Sequence, residues 1–118
     1  MSEDFYIVME KINILYIGRH LEILSTVVRV INANENWNAV GAMNDEESKA
    51  VFREIKFDIV LLGSGISDES EISLRCFFEI HNPEAIVMQH YGGGSGLLLS
   101  EINTALLELK KKRECFSK

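Results

Sequence analysis

Four short, nearly unbroken apolar runs govern what this chain can fold into: Ile12–Ile17, Ala39–Met43, Ile59–Leu62 and Ala85–Met88. A strand buried on both faces reads this way, because neither face alternates toward water. Helical periodicity fills the intervals. Leu21, Leu24, Val28 and Ile31 share one face of a first helix over Leu21–Asn32. A second follows Asn44, which can cap it, with Glu47 in the capping-box position and Ala50, Val51 and Ile55 facing inward. A third begins near Ser67 or Asp68, presents Ile72, Cys76, Phe77 and Ile80, and stops at Asn82-Pro83. The last starts at Ser100, with Ile102, Ala105, Leu106 and Leu109 as its stripe. It ends in Lys110, Lys111, Lys112 and Arg113, cations suited to the negative end of a helix dipole.

Strand–helix alternation with short connections predicts an α/β fold with a doubly wound parallel sheet. Ligands and chemistry in such folds gather at the carboxyl ends of the strands. Here those loops are Gly18-Arg19-His20, Gly63-Ser64-Gly65 and His90 to Gly96.

The chain has 118 residues and a formal net charge of −6. That length suits one domain: an N-terminal extension over 1–10, an α/β core over 11–113 and a tail over 114–118. The acidic balance opposes the phosphate attraction on which nucleic-acid binding depends. Neither Cys76 nor Cys115 has a Cys or His at metal-ligand spacing, so neither a zinc site nor a disulfide framework is expected. Glu3 and Asp4 precede the short apolar run Phe5–Met9, unlike the basic start of a signal peptide. No segment reaches the roughly 20 apolar residues that cross a bilayer. The expectation is a soluble cytoplasmic protein with no membrane or nucleic-acid partner and no cofactor.

The stretches KINILYIGRHLEIL (Lys11 to Leu24), NDEESKAVFREIKFD (Asn44 to Asp58) and FDIVLLGSGIS (Phe57 to Ser67) resemble response-regulator receiver domains in order and spacing. The resemblance covers about the first three quarters of the chain. It implies a three-layer, flavodoxin-like sheet in the order 2-1-3-4. Receivers bind magnesium with two acids after their first strand and phosphorylate an aspartate at the end of the third. A hydroxyl after the fourth strand and a lysine after the fifth hold the phosphoryl oxygens. This chemistry needs a carboxylate nucleophile, a hard cation and fixed donors. Laid on that pattern, the acid pair falls on Gly18 and Arg19, the nucleophile on Gly63 and the hydroxyl on Gln89. No lysine stands between Lys56 and Lys110. The resemblance therefore implies a pseudo-receiver that has lost its phosphorylation site.

The chain is also cut short. Gln89 to Leu99 is too brief for the helix and fifth strand that receivers place there. The fifth strand is lost, or survives as Leu97–Leu99. An open sheet edge invites pairing, either with Phe5–Met9 or with a second copy in a homodimer.

The other candidates have two readings each. Gly92, Gly93, Gly94 and Ser95 could form a backbone nest for an anion ahead of a helix, or a turn replacing the lost elements. His20 and His90 could share a crevice as acid–base or metal groups, or be ordinary loop histidines. Ser64 lacks the spacing of a nucleophile elbow and suits a turn. His81 suits a helix C-terminus and Trp37 a cover over the sheet edge. Cobalamin-binding domains are a second resemblance: His20, Ser64-Gly65-Ile66 and Gly92-Gly93 follow their order, but Gly18 and Ile23 replace that family's aspartate and glycine. The leading expectation is a non-phosphorylatable, non-enzymatic signalling module acting through protein contact. The alternative is a binder of a nucleotide, flavin, cobalamin or other anion using Arg19, His20, Ser64, His90 and the glycine loop.

Overall fold

The computed structural model describes residues 11–90 and 95–116. The run Phe5–Met9, the glycines Gly92, Gly93 and Gly94, and the side chains of Ser95 and Cys115 lie outside the described residues. The elements alternate: β1 (Ile12–Ile17), α1 (Leu21–Asn32), β2 (Trp37–Ala42), α2 (Asp45–Glu54), β3 (Ile59–Leu62), α3 (Asp68–His81), β4 (Ile86–Gln89) and α4 (Ser95–Phe116). The strands form one parallel sheet in the order β2-β1-β3-β4, as the resemblance implied. Ile14 pairs with Ala39 and with Ile59, and Ile59 pairs with Ile86, so the four strands stand level.

Alternate residues of the sheet feed two cores. Ile14, Tyr16, Ile59, Leu61 and Ile86 meet Val27 and Ile31 of α1 and Leu98, Ile102, Ala105 and Leu109 of α4. Leu15, Ile17, Val60 and Leu62 meet Phe52 of α2 and Leu74 and Phe78 of α3. Side chains buried on both faces explain why the strands read as solid apolar runs. At the sheet's amino end, the Asp58 carboxylate accepts from Asn13 N at 2.8 Å and pairs with Arg113 of α4.

Local signals set the helix starts. Asn44 Oδ1 accepts from Glu47 N at 2.7 Å, and Glu47 Oε1 accepts from Met43 N at 3.0 Å. The reciprocal bonds are those of a capping box, reaching one residue further back. Ser67 Oγ accepts from Ser70 N at 3.1 Å and opens α3.

Several expectations need correction. The last helix begins at Ser95, not Ser100, and Leu97–Leu99 is helical, so no vestigial strand forms there. Leu98 falls on the same stripe as Ile102, Ala105 and Leu109, and burying that stripe extends the helix. On α3 the inward face is Leu74 and Phe78, with Phe77 half-buried; Ile72, Cys76 and Ile80 point outward. The sequence ISLRCFFEI offers two apolar stripes of helical spacing, and the one that brings a leucine and a phenylalanine onto β3 and β4 buries more surface. On α2, Ser48 and Phe52 are buried, Val51 and Ile55 are half-buried, and Ala50 is exposed. On α1, Leu21 is exposed and Val27 takes the inward place. Trp37 is buried and begins β2, two residues before the expected start.

Candidate functional site at the carboxyl end of the sheet

Gly18, Gly63 and His90 each extend the ladder one residue past its strand. Gly18 N donates to Ala42 O at 3.0 Å, Gly63 N to Ile17 O at 2.7 Å, and His90 N to Leu62 O at 2.8 Å. The crevice between these ends is occupied by the ring of Tyr16, which is buried. A Cβ at Gly18 would stand 2.8 Å from Tyr16 Cε2. One at Gly63 would stand 2.9 Å from Tyr16 Cζ, closer still to the hydroxyl, and 3.0 Å from the backbone oxygen of Ile17. Both positions are held to glycine by the ring beside them. Gly63, on which the receiver resemblance lays the nucleophile, therefore has no room for a side chain.

His90 closes the other side. Its ring meets Tyr16 edge-on, with centroids 6.1 Å apart and planes at 72°. Its Nδ1 lies 2.5 Å from Glu101 Oε1 of α4, and both side chains are largely buried. A short bond between two enclosed polar groups is the arrangement that makes their burial tolerable. Burial pushes the Tyr16 hydroxyl above its ordinary pKa, and the nearby Glu101 charge pushes it the same way. Tyr16, His90 and Glu101 tie the ends of β1 and β4 to α4.

Arg19 faces away from this cluster. One guanidinium nitrogen donates to Met43 O at 2.7 Å and the other to Asp45 Oδ1 at 2.6 Å. Burial raises the Asp45 carboxyl, but the hydrogen bonds from Arg19 and Ser70 and the charges of Arg19 and Lys49 outweigh it and hold the group below its usual value. The stem of Arg19 also lies against Gly65, whose φ of +87° is a left-handed turn suited to glycine. Ser64 and His20 are exposed, and His20 makes no side-chain cap to α1. Gln89 is half-buried and pairs with Leu62.

The sequence-derived ligand set is thus split. Arg19 is committed to Met43 and Asp45, His90 to Glu101, and His20 and Ser64 stand in solvent. None of these four lines any of the three described cavities, which open instead at the amino end of the sheet. The described residues hold no group of three or more His, Cys, Asp or Glu placed to bind a metal. Sequence reasoning missed Tyr16 and Glu101. The signal for the ring was a large aromatic two residues before one strand-end glycine, with a second glycine on the adjacent strand. Nothing local marked Glu101 as the partner of His90.

No family model matches the chain, and no curated protein sequence matches it. Solved structures do. A signal receiver domain of an HD domain-containing protein from Pseudomonas fluorescens Pf-5 superposes with a TM-score of 0.76 at 13% identity, covering 91% of this chain and 95% of that one. The chemotaxis protein CheY4 of Vibrio cholerae gives 0.62 at 12% identity, over 81% and 99% of the two chains. The non-phosphorylated receiver domain of the stress response regulator RcsB from Escherichia coli gives 0.54 at 16%, over 86% and 77%. The fold is that of a response-regulator receiver domain.

Proposed function

We propose that this chain is a receiver-like signalling module that is not phosphorylated on aspartate and works by protein–protein contact, without catalysis. The observation that supports it most directly is Tyr16, whose buried ring fills the crevice beside Gly63. A phosphoryl acceptor needs a carboxylate there, a magnesium ion beside it and space for the incoming group. This site offers a glycine, an arginine already paired with Asp45, and a tyrosine ring. The setting we assign is the cytoplasm, where an exposed free thiol such as Cys76 stays reduced. The small-ligand reading is not favoured, since its residues do not converge on a cavity. The test is to incubate the full chain with magnesium and acetyl phosphate, or with beryllofluoride. We expect no gain in intact mass and no change in the amide spectrum; stoichiometric uptake of either reagent refutes the reading.

Self-association through β4 is part of the proposal. Ile86 N and His90 N donate toward β3, so Val87 and Gln89 aim their backbone groups outward. Arg75 already donates to Val87 O at 3.3 Å, but among the described residues no strand pairs with this edge. The occupant we assign to this edge is a second copy of the chain. Light scattering at high concentration should show a dimer; a monomer there removes this part of the proposal and leaves the rest.

A further inference from the structure

The outer groove between α2 and α3 has a composition unlike the rest of this acidic protein. Its floor is the half-buried ring of Phe77, packed edge-on against Phe52 and Phe78. Lys49 Nζ stands 5.5 Å from the centre of that ring and Arg53 Cζ 5.8 Å from it. The His81 ring stacks on the same aromatic with centroids 4.0 Å apart. Toward the amino end of the sheet the groove continues into a cavity of about 570 Å³ lined by Arg53, Lys56 and His81, with Glu54 as its acid. Ile80, one turn along α3 from Phe77, is 77% exposed. Among the described residues Lys49, Arg53 and Lys56 enter no ion pair, whereas Arg19, Arg75 and Arg113 all do.

Three cations outside any ion pair among the described residues, of which Lys49 donates to Ser73 Oγ at 3.2 Å, stand around an apolar floor on a chain of net charge −6 and set up a specific complementarity. Cations held over an aromatic face keep part of their attraction for it while still presenting N–H donors outward. Aromatic and arginine side chains are also the residues that anchor protein interfaces. We propose that this groove takes an acidic amphipathic segment of a partner protein. The segment's apolar side chains would lie on Phe77 and Ile80, and its flanking carboxylates would meet Lys49, Arg53 and Lys56. This rests on the contact-module reading above and names its surface. A nucleic acid, though polyanionic, offers no apolar side chains for Phe77 and Ile80 and meets the repulsion of the whole acidic chain.

The test titrates the full ¹⁵N-labelled chain with two synthetic peptides of equal negative charge. One is a glutamate-rich helix former with leucine and phenylalanine at i, i+4 spacing; the other replaces those apolar residues with serine and glycine. We expect amide shifts confined to residues 49–56 and 77–81, and at least about tenfold tighter binding of the amphipathic peptide. Charge reversal in Lys49→Glu/Arg53→Glu should weaken that binding by about tenfold or more. Lys56→Glu provides a separate surface variant with the same expected direction. Equal affinity for both peptides, shifts elsewhere or none, or tighter binding of an oligonucleotide at the groove overturns the proposal. So does displacement by the peptide of resonances from Glu3–Met9, which would make the chain's own segment the occupant. Absence of groove binding together with absence of phosphorylation leaves the contact module standing on another surface; phosphoryl uptake overturns that reading whatever the peptides do.

Discussion

At the carboxyl end of the sheet a tyrosine ring fills the space between Gly18 and Gly63, whereas at the amino end three cavities open around Lys11, Ile12, Lys56, His81 and Arg113. Parallel α/β domains ordinarily present the reverse, with the usable crevice at the carboxyl ends. The crevice at the carboxyl end is filled and its side chains are paired with one another: Tyr16 against His90, His90 on Glu101, Arg19 on Asp45. The amino end is open and charged, with Asp58 and Arg113 paired beside Lys11 and Lys56, which enter no ion pair among the described residues. The contrast teaches that a fold's customary site is a matter of which side chains reach it. One aromatic on β1 is enough to convert a crevice into core.

The largest effect should come from forcing a carboxylate into the filled end. Gly63→Asp drives a side chain into Tyr16 and the Ile17 carbonyl and encloses a charge. We expect it to cost about 3 kcal/mol or more in urea unfolding. Tyr16→Ala alone should cost a similar amount through its cavity, about 3–5 kcal/mol. The double variant Tyr16→Ala/Gly63→Asp should be much less damaged than the sum, because the two changes share one volume. Additive losses would break the comparison by showing that the ring and the glycine are independent.

His90→Ala should rank next. It removes the short contact to Glu101 in a largely enclosed site, and a loss of about 2 kcal/mol is expected. Unfolding midpoints of His90→Ala and Glu101→Gln, with the double variant, measure the coupling directly. An ordinary loop histidine would show less than about 0.5 kcal/mol.

The smallest effect belongs to the half-exposed pair. Arg19→Gln should cost at most about 1 kcal/mol near neutral pH. Its signature is in acid. The folded Asp45 carboxyl is depressed, so its stabilisation is present above the unfolded value, about 4, and is lost as pH falls through the lower folded value. Arg19→Gln should flatten that acid limb. Tyr16 acts at the other extreme. Its folded pKa is raised, so stability is unaffected below the unfolded value, about 10, and declines as pH climbs from there toward the folded one. Removing the hydroxyl in Tyr16→Phe should abolish this alkaline loss while keeping the ring in place, and thermal melts across pH would detect either limb.

Much of the fold was legible in the residues themselves. β1, β3 and α1 have the bounds their apolar patterns indicate, because strands buried on both faces and a helix with one buried stripe leave little ambiguity. The phase of α3 was not legible, since ISLRCFFEI carries two competing stripes and only the sheet beneath chooses between them. Nor was the helical state of Leu97–Leu99, where an apolar triplet fits either element until Leu98 is seen to continue the stripe of Ile102. At the carboxyl end, the absence of acids at Gly18 and Gly63 could be read directly. What fills the space beside them could not, because Tyr16 and Glu101 reach that place from a strand interior and from a helix whose position depends on the whole core.

The docking of α4 carries a consequence for synthesis. Its Leu98, Ile102, Ala105 and Leu109 cover the same core in which Ile59, Leu61 and Ile86 sit, and Arg113 closes on Asp58, 55 positions earlier. A nascent chain still inside the ribosome exit tunnel at Leu98 has that side of its sheet covered by α1 alone, with every parallel pairing already non-local. Such a chain keeps apolar sheet surface exposed until Leu109 emerges, so its core cannot be completed before α4 has been made.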